Sequence, residues 1–314
     1  MKAAVVTSFE SPPRYQDFPD PVASSDTEQV IDVLAAGLHP RVRSQADGSH
    51  YTSTDELPLV PGIDGVGRTG DGTLRYFILP DTTLGAMAER TVIDTRRSIV
   101  LPESSDPVSI AAALNPAMSS WIALRQRISF EAGQNVLILG ATGNAGRMAV
   151  QIAKLFGANQ IIAAARDVEQ LAELGALGAT ETVRLDDTRQ LGKAAAQVDV
   201  VIDYVWGRPA ADAMIAVITE RADRGTPLSW IQIGSVAGPT APIPSAALRA
   251  ARLQIVGSGQ GSVGTREILT ELPALAEEIT RGTFRIDGRT LPLAQVEQAW
   301  AEAAHSRQRI VITP

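Results

Sequence analysis

The chain has 314 residues and a net charge of −7, with no concentrated basic tract, which argues against nucleic acid or an anionic membrane as its main partner. It contains no cysteine, so disulfides, thiolate zinc sites and a cysteine nucleophile are excluded together. With 45% hydrophobic and 20% charged residues it can bury the cores of two ordinary domains.

The opening MKAAVVTSFESPP has one lysine and a short apolar run, which is not the pattern of a signal peptide. No window holds 18 uninterrupted apolar residues, so no transmembrane helix is expected. These features, with the missing cysteines, predict a soluble cytoplasmic protein. The first third is rich in short strand-like runs broken by Pro and Gly. EQVIDVLAAG reads as a strand, LVPGIDGVGRTGDGTLRYFIL as a glycine-rich turn region with a strand from Leu74, and MAERTVI and SIVLP as further strands. Together they predict a small, irregular, β-barrel-like domain.

The texture changes near Pro107. PVSIAAALNPAMSSWIALRQRIS reads as helix interrupted at Asn115-Pro116. Strands and helices then alternate through NVLILG, AGRMAVQIAKLFG, QIIAAA, DVEQLAELG, VDVVIDYV, ADAMIAVITE, SWIQIG and LQIVGSG. Short apolar strands separated by helices predict a parallel sheet with both faces covered. After a helix around 266–281, the tail supplies a strand, a helix and a last strand, expected to rejoin the first domain.

In GATGNAG the glycines are Gly140, Gly143 and Gly146. Ala141, Gly143 and Gly146 form an A-x-G-x-x-G variant of the dinucleotide fingerprint. Gly143 lets backbone N–H groups approach a pyrophosphate, and Gly146 lets the helix pack on the strand. Asn144 and Ala145 open that helix, whose N-terminus adds partial positive charge. The context strengthens the motif: a strand precedes it directly, and Ala149, Ile152, Ala153 and Phe156 then recur at helical spacing. Two readings stand for the nucleotide. Arg166, at the end of the second strand, suits the 2′-phosphate of NADP. Asp167, one position on, would be the ribose acid of NAD; it also begins DVEQ, with Gln170 placed for a helix cap. NADP(H) is the expected cofactor.

These stretches together resemble the medium-chain dehydrogenase/reductase superfamily, in its zinc-free quinone oxidoreductase branch. They include AAGLHPRV, LPLVPGIDGVG, VLILGATGNAGRMAVQIAKLFGA, VDVVIDYVWG, WIQIGSVAG and LPLAQVEQAWAEA. The resemblance implies an α/β fold: a Rossmann-type parallel-sheet domain inserted into a GroES-like β-rich catalytic domain. Its parts would be 1–116 (catalytic, first part), 117–282 (dinucleotide-binding) and 283–314 (return to the catalytic domain). It adds Gly234, Ser235, Gly257 and Gly259 to the cofactor contacts. The family's N-P corresponds to His39-Pro40, its pocket tyrosine to Tyr51 and its nicotinamide-contacting threonine to Ser119. Tyr51, His39 and Ser119 are therefore the candidate catalytic donors.

No metal is expected. Where zinc alcohol dehydrogenases of the superfamily carry G-H-E, this chain has Gly62-Ile63-Asp64, and its histidines are His39, His50 and His305. Asp64 reads as a buried structural carboxylate. The implied activity is hydride transfer from NADPH to a small-molecule quinone or conjugated carbonyl, by a homodimer paired through LQIVGSG. An alkene or enone reductase and a non-catalytic NADPH-binding sensor remain open. A short-chain dehydrogenase does not: the residues four after each tyrosine are Pro19, Asp55, Pro80 and Arg208, none of them lysine.

Overall fold

Short strands broken by glycine and proline fill the first hundred residues of the computed structural model, which describes residues 1–50, 52–259 and 261–314. In chain order they are β1 (Lys2–Val5), β2 (Arg14–Asp17), β3 (Glu28–Leu38), helix α1 (Pro40–Ala46), β4 (Asp64–Thr69), β5 (Leu74–Ile78), β6 (Arg90–Asp94) and β7 (Ser98–Val100). Helix α2 (Pro107–Ile122) leads to β8 (Asn135–Leu139), α3 (Asn144–Leu155), β9 (Gln160–Ala165), α4 (Val168–Glu173), β10 (Glu181–Arg184) and α5 (Thr188–Ala194). Then come β11 (Val200–Asp203), α6 (Gly207–Glu220), β12 (Leu228–Gln232), α7 (Ser245–Ala250) and β13 (Leu253–Gly257). The chain ends with α8 (Thr265–Thr280), β14 (Gly288–Pro292), α9 (Val296–Ala303) and β15 (Arg309–Thr313).

Two compact units result: unit 1 is Met1–Asn115 with Leu269–Pro314, and unit 2 is Pro116–Ile268. The first boundary adjoins the expected one. The second falls inside α8, not at 282. The reason is local: Leu272, Leu275, Ala276 and Ile279 are buried, and the Thr280 hydroxyl lies 2.8 Å from that of Ser105, so most of α8 belongs with unit 1.

Unit 1 is organised by β3, which spans 11 residues. Its first half pairs antiparallel with β6 and β4, with a register shift between Val33 and Ala35, and its last residues pair with β15. One long bent strand thus serves three partners, as the β-rich reading requires. β14 and β15 pair in parallel, an exception to the antiparallel pattern. The core holds Ile31, Leu59, Phe77, Met87, Trp300 and Ile310.

Unit 2 is the expected α/β sheet. Its strand order is β10-β9-β8-β11-β12-β13, with every pairing parallel. Counted from β8 this is the order 3-2-1-4-5-6 of doubly wound dinucleotide folds. Every residue of β11 is buried, because strands inside such a sheet are covered on both faces.

The structure corrects one expectation about α2. It is not interrupted at Asn115-Pro116: Pro116 lies inside the helix, which goes on as a wider turn to Arg127. Pro116 forfeits one backbone hydrogen bond, but Ile110 to Leu114, Ala117 and Ser120 to Ile122 are buried around it, and packing holds the turn. The same run, Pro107–Arg127, is also long and apolar enough to cross a membrane, which a count of uninterrupted apolar residues missed. Some 67% of its apolar window is buried inside the protein, the pattern of a core helix.

Candidate active site

Because the unit 2 strands are parallel, their C-terminal ends share one edge. The order reverses between β8 and β11, and sheets of this kind bind ligands at that crevice. The expected cofactor contacts lie along this edge. Ala141, Gly143, Asn144, Ala145 and Gly146 follow β8, Arg166 follows β9, Gly234 and Ser235 follow β12, and Gly257 and Gly259 end β13 or lie just past it.

The glycine turn is built by the sheet. The N–H groups of Gly140 and Ala141 both donate to the Ala164 carbonyl of β9, at 2.9 and 3.1 Å. Gly143 is the N-cap of α3, and no side chain caps this helix, so its first N–H groups point out unclaimed by any cap. Gly146 is forced by close packing: a Cβ there would stand 2.3 Å from the Gly140 carbonyl oxygen and 2.6 Å from Ala141 Cα. Gly143 is different. It is exposed, with φ −69°, and a Cβ would meet only the Gly140 oxygen at 3.6 Å. The protein leaves that space open beside an uncapped helix end, and these residues fit a pyrophosphate.

At the end of β9, Arg166 is exposed. Asp167 caps α4: its Oδ1 accepts from the Gln170 N–H at 3.1 Å, and its Oδ2 from Gln170 Nε2 at 2.6 Å.

The end of β11 carries a buried polar group that the sequence reading passed over. Asp203 Oδ1 accepts from the N–H groups of Val205 (2.8 Å) and Trp206 (2.9 Å), and Oδ2 accepts from Trp230 Nε1 (2.9 Å). Burial raises the Asp203 pKa, and these three donors pull against it. Next to it, the buried Tyr204 hydroxyl lies 2.9 Å from Ser119 Oγ, and burial pushes its pKa up to about 12. Ser119 donates its own proton to the Pro116 carbonyl at 2.7 Å, which leaves Tyr204 as the donor between the two hydroxyls. An acidic residue ending the fourth strand, followed by two aromatics before Gly207, was the available signal.

In unit 1 His39 is the N-cap of α1 and 4% exposed. Its Nε2 lies 2.9 Å from Asp64 Oδ1, and Tyr76 donates to Asp64 Oδ2 at 2.7 Å. Asp64 is itself 2% exposed at the start of β4. Burial lowers the His39 pKa, Asp64 beside it opposes that, and the neutral ring spends its Nε2 proton on the carboxylate. Arg309, on β15, also belongs to this buried group. Burial lowers its pKa to about 10 against the attraction of Asp64, and its Nη1 donates to the Leu38 carbonyl at 3.1 Å. Tyr51 lies outside the described residues. Beyond it, Thr52 Oγ1 donates to Asp81 Oδ2 at 2.6 Å and accepts from Arg41 Nη2 at 2.8 Å. His39 belongs to unit 1 and Ser119 to unit 2. Among the described residues no group of three or more His, Asp or Glu is placed to hold a metal ion.

Comparison with known proteins agrees with this geometry. Residues 145–278 match the family model described as zinc-binding dehydrogenase. The probable NADPH-dependent quinone reductase tdiC of Emericella nidulans is 30% identical over 359 aligned positions, covering 100% of both proteins. Human quinone oxidoreductase is 30% identical over 140 residues, 42% of each chain. Among solved structures, the quinone oxidoreductase of Thermus thermophilus, also determined with NADPH, superposes with a TM-score of 0.85 at 27% identity over 100% of both chains. The chain belongs to the medium-chain dehydrogenase/reductase superfamily, in its quinone oxidoreductase branch.

Proposed function

We propose that this protein is a zinc-independent oxidoreductase that passes hydride from NADPH to a quinone or a conjugated carbonyl compound. The observation that carries the reading is the open space at Gly143 beside the uncapped end of α3, on the switch-point edge of the sheet. A dinucleotide whose pyrophosphate is held there would supply the hydride from its nicotinamide. The chain's own work is to hold the pyrophosphate at the α3 N-terminus and to grip the 2′-phosphate with Arg166. It must also keep water from the reacting atoms. Charge develops on the acceptor oxygen as hydride arrives, and a donor should meet it. Ser119 spends its proton on Pro116, and His39 spends its Nε2 proton on Asp64. Tyr51 is therefore the proposed carbonyl partner. The test is steady-state NADPH oxidation over a panel of quinones, enones and alkenals after exhaustive chelation. Quinone turnover that survives chelation is expected. Loss of activity restored by zinc would refute zinc independence, and tight NADPH binding with no turnover of any acceptor would point to a sensor.

The preference for NADPH is assigned to Arg166. Both Asp167 oxygens are engaged by Gln170, which supports the arginine over the aspartate as the residue that reads the ribose. Arg166→Ala should weaken NADPH binding by about 1.5–3 kcal/mol, the range for hydrogen bonds to a charged group, and leave NADH unchanged. Equal weakening of both cofactors in titrations would make Arg166 structural.

The protein is proposed to be a cytoplasmic homodimer acting on small molecules, with neither nucleic acid nor membrane as partner. β13 is the edge strand of the parallel sheet, and Leu253, Ile255 and Val256 stay only half-buried on it, which supports pairing with a second copy across a two-fold axis. Light scattering at micromolar protein should give twice the monomer mass; a monomer would contradict the pairing.

A further inference from the structure

Among the described residues, Trp206 is the one non-glycine residue with a left-handed backbone, at φ 52° and ψ −160°. That region is open almost only to glycine, and any side chain held there is strained. The neighbours over-determine the turn. Asp203 Oδ1 accepts from the N–H groups of both Val205 and Trp206, Trp230 anchors the other carboxylate oxygen, and the Val205 carbonyl accepts from the Ala237 N–H at 2.9 Å. Gly207 follows with φ 66°, where a Cβ would stand 2.8 Å from the Ala237 oxygen. Glycine at 206 would make the same turn without strain. The chain places there an indole instead. The residue is half-buried, and its ring N–H makes no hydrogen bond among the described residues. The side chain packs against the apolar core of unit 2, but a core filler has no need of a backbone that only glycine adopts comfortably.

The location gives the strain a use. The turn follows β11, the strand across the switch point from β8. It abuts the glycine turn: a Cβ on Gly140 would lie 3.2 Å from Val205 Cγ2 and 3.4 Å from Tyr204 Cβ. In sheets of this order the ribose-reading residue ends the second strand, so the adenosine half of a dinucleotide runs from the pyrophosphate toward β9. The nicotinamide half must then run toward β11. Strained residues that their surroundings hold firmly cluster at ligand clamps and active sites.

We infer that Trp206 is a positioning residue for the nicotinamide half of NADP(H), its indole giving that half a flat apolar face against which to settle. The inference rests on the NADPH reading proposed above. It separates from that reading because it concerns one half of the cofactor only.

The experiment compares Trp206→Phe, Trp206→Ala and Trp206→Gly by titration with NADPH and with 2′,5′-ADP, which carries the adenosine and the 2′-phosphate but no nicotinamide. Thermal stability is measured without ligand. Trp206→Ala and Trp206→Gly should lose NADPH affinity by about tenfold, the size of one good aromatic contact, while Trp206→Phe stays within about threefold of the parent. All three should bind 2′,5′-ADP as the parent does. Trp206→Gly should be at least as stable as Trp206→Ala, because both lose the ring and only glycine relieves the strain. NADPH affinity would then not follow stability, whereas a merely structural role requires that it does. Parental NADPH affinity in the alanine and glycine variants would overturn the inference. So would equal weakening of NADPH and 2′,5′-ADP. A parent protein that binds neither probe would remove the NADPH reading itself, a different pattern. Should the small variants fail to fold, the phenylalanine variant suffices: NADP⁺ should quench indole emission in the parent, and most of that quenching should vanish with Trp206. Undiminished quenching would overturn the inference.

Discussion

Gly143→Ala should fold as the parent does and lose NADPH affinity by about tenfold or more, whereas Gly146→Val should cost the fold of unit 2 itself. The two glycines share one motif but answer to different neighbours. At Gly143 the backbone has φ −69°, which alanine adopts freely, and the added methyl meets one carbonyl oxygen at 3.6 Å. Stability should therefore stay within about 1 kcal/mol, the modest preference for glycine over alanine at an N-cap being partly offset by the stiffer unfolded chain. The methyl instead occupies space assigned here to the pyrophosphate. At Gly146 the first side-chain atom would already sit 2.3 Å from one backbone atom and 2.6 Å from another, so α3 must move off β8. A penalty of about 3 kcal/mol or more is expected, since overpacking against backbone has no rotamer escape. Urea denaturation beside NADPH titration separates the two effects. A Gly143→Ala protein with undiminished affinity would remove the glycine turn as the phosphate site.

Asp64→Ala should destabilise unit 1 by about 3–5 kcal/mol, a large part of the 5–15 kcal/mol that ordinary domains have to spare. The carboxylate is buried and accepts from Tyr76 and His39, with the buried Arg309 guanidinium attracted to it. Its removal strands two donors and leaves one cation without its counter-charge. The loss comes mainly from groups left unpaired, not from the worth of the pairs themselves. Asp64→Asn keeps the shape and one acceptor and should cost less than half as much. Denaturant midpoints for the two variants check the order; an alanine variant as stable as the parent would mean that water replaces the carboxylate.

Much of unit 2 was legible because its elements advertise themselves locally. NVLILG, the glycine turn and the apolar spacing of α3 lie within one short stretch, and the cap of α4 by Asp167 and Gln170 was readable from the four residues DVEQ. β10 and α5 were not seen. β10 is a four-residue edge strand with one buried side chain, so it carries no apolar run to notice. Proline read as a break at 116 because its local cost is visible in sequence, while the burial that overrides it is not. His39 and Asp64 were both singled out, but their bond spans 25 positions and depends on how β3 and β4 pair. The strain at Trp206 had no sequence signal, since tryptophan is the last residue expected on a glycine backbone. Arg309 escaped notice for the same reason as the His39–Asp64 bond: its partners come from strands far away in the chain.

The order in which residues leave the ribosome gives the interruption of unit 1 a kinetic meaning. β15 lies between β14 and β3, and Arg309 reaches the Leu38 carbonyl across 271 positions. Unit 2 has every one of its residues by Ile268, when unit 1 still lacks the strand that covers the end of β3. Contacts this distant close loops slowly, and an unpaired strand edge is the kind of surface on which nascent chains aggregate. The nucleotide-binding half can therefore fold first, and the half that begins the chain is the last to close.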